Sequence, residues 1–111
     1  MVRKLLSFEG TARQDLKAFP EIARSVAGQE LYFVQIGERP ADWKPMPTIG
    51  QGVAEIRIHR GGAFRVIYIA RFEEAVYVLH CFQKKSQRTS RTDLELATTR
   101  YKALITRRGA R

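Results

Sequence analysis

Apolar positions along this chain change period twice. They recur every three or four residues from 11 to about 36, nearly every second residue from 53 to 83, and every three or four again beyond 92. Thr11 followed by Gln14 has the spacing of a capping box, in which side chains satisfy the free amides at a helix start. The helix so opened, about residues 12–18, has to end near Phe19, because Pro20 disfavours helical geometry in the residue before it. Pro20 is well placed as the first residue of a second helix. There Ile22, Val26, Phe33 and Ile36, helped by Ala23, Leu31 and Val34, make a rough apolar stripe. Lys4 to Phe8 reads as a short strand ahead of this helical hairpin.

Residues 37–52, GERPADWKPMPTIGQG, carry three prolines and three glycines and read as one long irregular stretch. Trp43 and Met46 are expected to pin it to the core. In VAEIRIH, Ile56 and Ile58 alternate with Glu55, Arg57 and His59, the mark of a half-buried strand. Gly61-Gly62 is a tight-hairpin signal, since glycine accepts the positive φ such turns need. Phe64 to Ala70 is apolar apart from Arg65, as in a central strand covered on both faces. Glu73-Glu74 makes the next turn and Ala75 to Gln83 the last strand. Thr92 with Glu95 gives a second capping box, after which Leu94, Ala97, Tyr101 and Leu104 share one helical face. Arg107 and Arg108 fall where cations favour a helix C-terminus.

These elements predict an α+β protein in the order β-α-α-β-β-β-α, with a small antiparallel sheet of about four strands. Its helices are expected on one face of a three-strand meander, leaving the other face free as a working surface. At 111 residues the chain has room for one core, so a single domain over 1–111 is expected. Hydrophobic residues make up 44% and charged residues 28%, an ordinary balance for a soluble globular chain. No apolar run approaches the roughly 20 residues that span a bilayer, and the N-terminus lacks the apolar stretch of a secretory signal. Cys81 is alone, which excludes an intramolecular disulfide and a cysteine-based metal site, and a cytoplasmic protein without cofactors is expected.

Charge changes the picture more. The net charge is +9, and its distribution is uneven: residues 1–82 hold eleven basic and nine acidic side chains, residues 83–111 nine basic and two acidic. A basic end of this kind attracts polyanions, nucleic acid above all, though an acidic protein partner would also answer to it. There is no glycine-rich phosphate loop, no HExxH, and no Ser–His–Asp set. The strands offer cations and imidazoles instead: Arg57, His59, Arg65, His80, Lys84 and Lys85. Arg57 and His59 share a parity and hence a face, as do His80, Phe82 and Lys84. Arg65, set between Phe64 and Val66, either pairs with Glu55 or another carboxylate or projects onto the open face to bind an anion. Such groups suit cleavage of RNA by its own 2′-hydroxyl, which needs a base, an acid and fixed positive charge beside the phosphorus. His80, Tyr68, Tyr77, Tyr101 and Cys81 read more simply as packed residues.

The run GVAEIRIHRGGAFRVIYIARFEEAVYVLHCFQKKSQRTSRTDLELATTRYKAL, with the upstream DWKPM loop and FPEIAR helix, resembles the phage-derived, HigB-like branch of the RelE/ParE toxin superfamily. The likeness covers about Leu5 to Leu104. It implies a RelE-like fold and the toxin of a toxin–antitoxin pair, an endoribonuclease that cuts mRNA in the ribosomal A site. It also implies a helix-turn-helix antitoxin as protein partner. By the same likeness the contacts to the scissile phosphate fall on Arg65, Lys84 and Lys85, with Arg57 and His59 on the preceding strand. Arg88, Arg91 and Lys44 are the further basic residues expected to hold RNA. No residue matches the family's acid or base near the C-terminal end. Other superfamily members poison DNA gyrase, and a basic module without catalysis is a third alternative.

Overall fold

Strand alternation builds one sheet here, and helices bury both of its faces. The computed structural model describes residues 2–109. Along the chain lie β1 (Leu5–Phe8), α1 (Ala12–Lys17), α2 (Glu21–Gln35), β2 (Trp43–Pro45), β3 (Val53–His59), β4 (Ala63–Ile69), β5 (Ala75–Gln83) and α3 (Arg91–Gly109). The five strands are ordered β1-β5-β4-β3-β2, with β1 parallel to β5 and every other pair antiparallel. The α+β class and the element order expected from the sequence are present, with one strand added.

That strand is β2, inside the stretch expected to be irregular. Trp43, Lys44 and Pro45 pair with Ile56, Glu55 and Ala54. Three residues are too few to show a period, and Pro45 is tolerated because β2 is an edge strand. Trp43 packs on one core and Met46 on the other, so both anchor the segment as expected.

The first core lies between the sheet and the α1–α2 pair. Ala23, Ala27, Leu31 and Val34 form the buried stripe of α2, while Ile22 is 64% exposed. Both alanines are fully buried, so the stripe runs through them and leaves Ile22, Phe33 and Ile36 at or beyond its margin. Against them pack Ala54, Ile56, Ile58, Phe64, Val66, Tyr68, Val76, Val78 and Cys81. The second core holds Val53, Ile67, Ile69, Leu79 and Phe82 from the other face, beneath Ala97 and Leu104 of α3. The expectation that all helices sit on one face is therefore corrected. α3 packs along β5 on the face opposite α1 and α2, which leaves the β3–β4 part of that face as the candidate working surface.

Both expected capping boxes are replaced by other contacts. Thr11 precedes α1 but makes no capping bond, and its hydroxyl donates to Asp15 (2.8 Å). At α3 the cap is Ser90, whose Oγ accepts from the Asp93 amide (3.1 Å) and donates to the Asp93 carboxylate (2.6 Å). The helix thus starts one residue before Thr92. At the tight turn after β3, Gly61 and Gly62 have φ of 70° and 132°, as the hairpin requires.

α3 is fixed by polar anchors as much as by apolar contact. Arg100 donates to Leu79 O (3.0 Å) and Thr11 Oγ1 (3.1 Å) and lies 3.3 Å from His80 Nδ1. Arg107 bridges to Glu9 (3.0 Å), and Arg108 stacks on Phe72 and bridges to Glu74 (2.8 Å). The Arg108 hydrogen bonds above all, aided by the Tyr77 hydroxyl, hold the Glu74 carboxyl down at about 2.

Two outcomes test this packing. Leu104 is fully buried, so Leu104→Ala should lower unfolding free energy by about 2–5 kcal/mol in urea titration. A carboxylate with a depressed folded-state pKa adds stability above its unfolded-state value and loses it as pH falls through the folded value. Stability should therefore drop between about pH 4.5 and 2, and Glu74→Gln should make the curve shallower over that window. Because Glu74 is 46% exposed, added salt should shrink the difference; parallel curves for parent and variant would show the pair to be idle.

Candidate functional site

Strand parity and register bring the chemistry-bearing residues to one end of the α3 face. Glu55, Arg57 and His59 of β3 alternate with the inward isoleucines and lie on that face with Arg65 of β4. Arg57 stands directly opposite Arg65, which stands opposite Phe82 of β5. In the next row His59 faces Ala63, and the Lys84 amide donates to Ala63 O (2.7 Å). The small side chain of Ala63 leaves a low floor between His59 and Lys84.

Lys84 reaches this face because of a β-bulge. Ile67 pairs with His80 but its neighbour Tyr68 pairs with Val78, so Leu79 is the extra residue on β5. Before the bulge Val76 and Val78 point to the α2 face and Tyr77 and Leu79 to the α3 face. After it Cys81 points to the α2 face and Phe82 to the α3 face. Without the extra residue Lys84 would lie on the α2 side. Bulges that re-aim a side chain are frequent beside functional sites.

Beyond β5, Lys84 and Lys85 line a cleft of about 190 Å³ with Phe82, Gln83, Ser86, Arg88, Ser90 and Asp93. Its far wall is the start of α3, where Ser90 caps the Asp93 amide and Asp93 contributes the one carboxylate of the lining. Lys85 and Arg88 are exposed and Lys84 half-buried. The lysines thus converge on one cleft, as their place after the last strand predicts.

The other sequence-predicted residues are distributed differently. His59 is largely exposed and lies 3.2 Å from Asp42. Arg91 is also exposed, 3.9 Å from Glu95, and borders a separate groove on α3 with Arg88 and Lys102. Lys44 is on β2, directly across from Glu55, with β3 and β4 between it and β5.

Arg65 requires a correction. Of its two open readings the structure has the first: the residue is 4% exposed, and its Nε lies 3.6 Å from Glu55 Oε1. Its Nη1 donates to Phe64 O (3.0 Å). In this arrangement it presents no surface for direct contact with a phosphate. Burial is the main influence on the Arg65 guanidinium and lowers its pKa, with Glu55 opposing and Arg57 adding to the effect. Arg57 also approaches Glu55 Oε1, at 3.4 Å, and is one-third exposed. The reason is geometric: adjacent strands place two arginines side by side, and both approach the one nearest carboxylate.

His80 is buried, as its apolar surroundings predict, but it is not isolated. Its Nε2 lies 2.7 Å from Asp93 Oδ1, its ring stacks on Phe82, and Arg100 closes the other nitrogen. The His80–Asp93–Ser90 set fixes the start of α3 against β5 and so shapes the cleft. Sequence reasoning missed this role for Asp93; the signal was a lone Ser-x-x-Asp spacing in a segment otherwise almost free of acids. Cys81 is packed in the core, and burial pushes its thiol up to about 12. Among the described residues no cluster of His, Cys, Asp and Glu has the makings of a metal site, and no helix is long and apolar enough to cross a membrane.

The arrangement offers a basic cleft for a phosphodiester, with His59 across β4 in a neighbouring groove beside Arg57 and Asp42. Comparisons with known proteins agree with the fold that carries it. The structure is similar to that of a double arginine-to-alanine mutant of the E. coli toxin RelE in the free state, with a TM-score of 0.65 at 16% identity. That likeness covers 94% of this chain and 99% of the other. No curated protein matches the sequence significantly. Residues 14–102 match the family model described as phage-derived protein Gp49-like. The chain therefore belongs to the phage-derived Gp49-like family, and its fold is that of RelE.

Proposed function

We propose that this protein is the toxin of a toxin–antitoxin pair and an endoribonuclease acting on mRNA at the ribosome, inhibiting translation. The observation that carries the reading is the convergence of Lys84, Lys85 and Arg88 on one cleft next to the His59–Ala63–Lys84 row. In the reaction a ribose 2′-oxygen attacks the adjacent phosphorus and gives up its proton to a base. The bond from phosphorus to the 5′-oxygen breaks, that oxygen takes a proton, and a 2′,3′-cyclic phosphate remains. Negative charge builds on the non-bridging oxygens, and cations already fixed in place stabilise it most. Lys84 and Lys85 meet the phosphate, with Arg57 on the adjoining row. Arg65 adds positive field from below. His59 has the side chain best suited to exchange a proton near neutral pH. Arg88, Arg91 and Lys44 hold flanking RNA, and the partner that silences the toxin is a helix-turn-helix antitoxin in the bacterial cytoplasm.

The burial of Arg65 favours a second reading: a toxin of this fold that inhibits DNA gyrase and leaves RNA intact. Induced expression separates the two. The nuclease reading expects growth arrest with cuts inside translated mRNA and unimpaired supercoiling by gyrase. In the Lys84→Ala/Lys85→Ala variant, cleavage should fall by about a hundredfold or more, the scale for losing fixed donors at a developing oxyanion. Growth should resume while the thermal midpoint stays nearly unchanged, because Lys85 is exposed and Lys84 only half-buried. Arrest at the parent level by that double variant would overturn the reading.

A further inference from the structure

One cluster on the α3 face has unmet bonding capacity. Glu55 is 3% exposed, and one of its oxygens is shared between Arg57 Nε (3.4 Å) and Arg65 Nε (3.6 Å). Neither approach makes a hydrogen bond. Glu55 Oε2, Arg57 Nε and Arg65 Nε are all buried without a partner, and among the described residues the side-chain atoms in that condition all belong to this cluster. Two guanidinium groups opposed across β3 and β4 repel each other. A single carboxylate offsets one of the two charges and leaves donors idle. A phosphodiester brings the second negative charge that this pair of arginines lacks, and its two non-bridging oxygens fit the guanidinium fork bidentately, as those of a carboxylate do.

We propose that Glu55 is a positioning residue, an internal anion that holds Arg57 and Arg65 side by side in the free protein and competes with RNA phosphate for them. When a phosphodiester enters the neighbouring site, Arg57 and then Arg65 exchange the loose Glu55 contact for phosphate oxygens. Arg65 is thus stored beneath the surface in the resting protein and drawn on only when RNA is present. The inference rests on the reading of this face as a phosphate site. It adds a cost to binding, because the arginines are free for RNA only in the fraction of molecules where Glu55 has let go.

The test uses the whole chain and a short single-stranded RNA with 2′-O-methyl riboses, which binds without being cut. Glu55→Gln removes the competing charge and should tighten binding about tenfold, as expected if roughly one molecule in ten is competent in the parent. Glu55→Asp keeps the charge but draws the carboxylate back by one methylene, and should tighten binding to a smaller degree. It also serves if the glutamine variant fails to fold. Both gains should shrink when either Arg57→Gln or Arg65→Gln is added and vanish when both are, since Glu55 acts through those two residues. A purely structural Glu55 would lower the thermal midpoint of the variants and leave RNA affinity as in the parent, which overturns the proposal. Equal tightening by Glu55→Gln with and without the two arginines would reduce it to net charge and overturn it too. Should the parent bind RNA through Lys84 and Lys85 while neither Glu55 variant binds more tightly, the role of Glu55 alone fails. Should the parent bind no RNA, this proposal and the phosphate site fall together.

Discussion

Two guanidinium groups face each other across adjacent strands, and a buried carboxylate keeps them there. The hairpin at Gly61-Gly62 fixes the register of β3 and β4, and that register sets Arg57 against Arg65. Like charges in this position destabilise a strand pair. Glu55, one side-chain layer further along the same face, offsets the repulsion. Removing one partner from a buried set of charges costs far more than the set contributes as a whole. The sheet is therefore committed to all three residues. The same commitment keeps positive charge concentrated under the end of the sheet where Ala63 leaves space.

The last strand brings the remaining cations to that end. β5 is buried from Val76 to Phe82 almost without a break, and helices on opposite faces hold it in place. Its bulge at Leu79 turns the strand so that Phe82 and Lys84 fall on the side of Arg57 and His59. Past the strand, the Lys84 amide makes one further bond to Ala63, and the chain then opens into the loop that lines the cleft. Asp93, held between His80 and Ser90, ties the helix start to the strand and closes that loop. His80 is the buried member of this network, and its satisfied bond to Asp93 makes the local geometry rigid.

Much of this order can be read from the chain itself. The period of two in VAEIRIH, the double glycine, and the apolar run into Lys84 and Lys85 mark β3, the hairpin and β5 with few errors at their ends. Four features lie outside such a reading. β2 is too short to have a period and owes its pairing to an available edge of β3. The bulge leaves no mark on a strand that is apolar on both faces, so parity alone cannot tell which face receives Lys84. The pairing of Arg65 with Glu55 depends on a register between separate strands, and the sequence allowed either that pairing or an outward arginine. The side of the sheet on which α3 packs is likewise a tertiary choice: its stripe of Leu94, Ala97, Tyr101 and Leu104 fits an apolar face wherever one is offered.

The proposed chemistry makes a demand on the substrate that no other reading shares: the attacking oxygen belongs to the RNA. Ribosomes carrying a defined mRNA, incubated with the purified protein, allow the ends of the products to be identified directly. The account predicts upstream fragments ending in a 2′,3′-cyclic phosphate, downstream fragments beginning with a 5′-hydroxyl, and no cut where the nucleotide before the break is 2′-deoxy. Fragments ending in a 3′-hydroxyl, or cutting undiminished at the deoxy position, would contradict it.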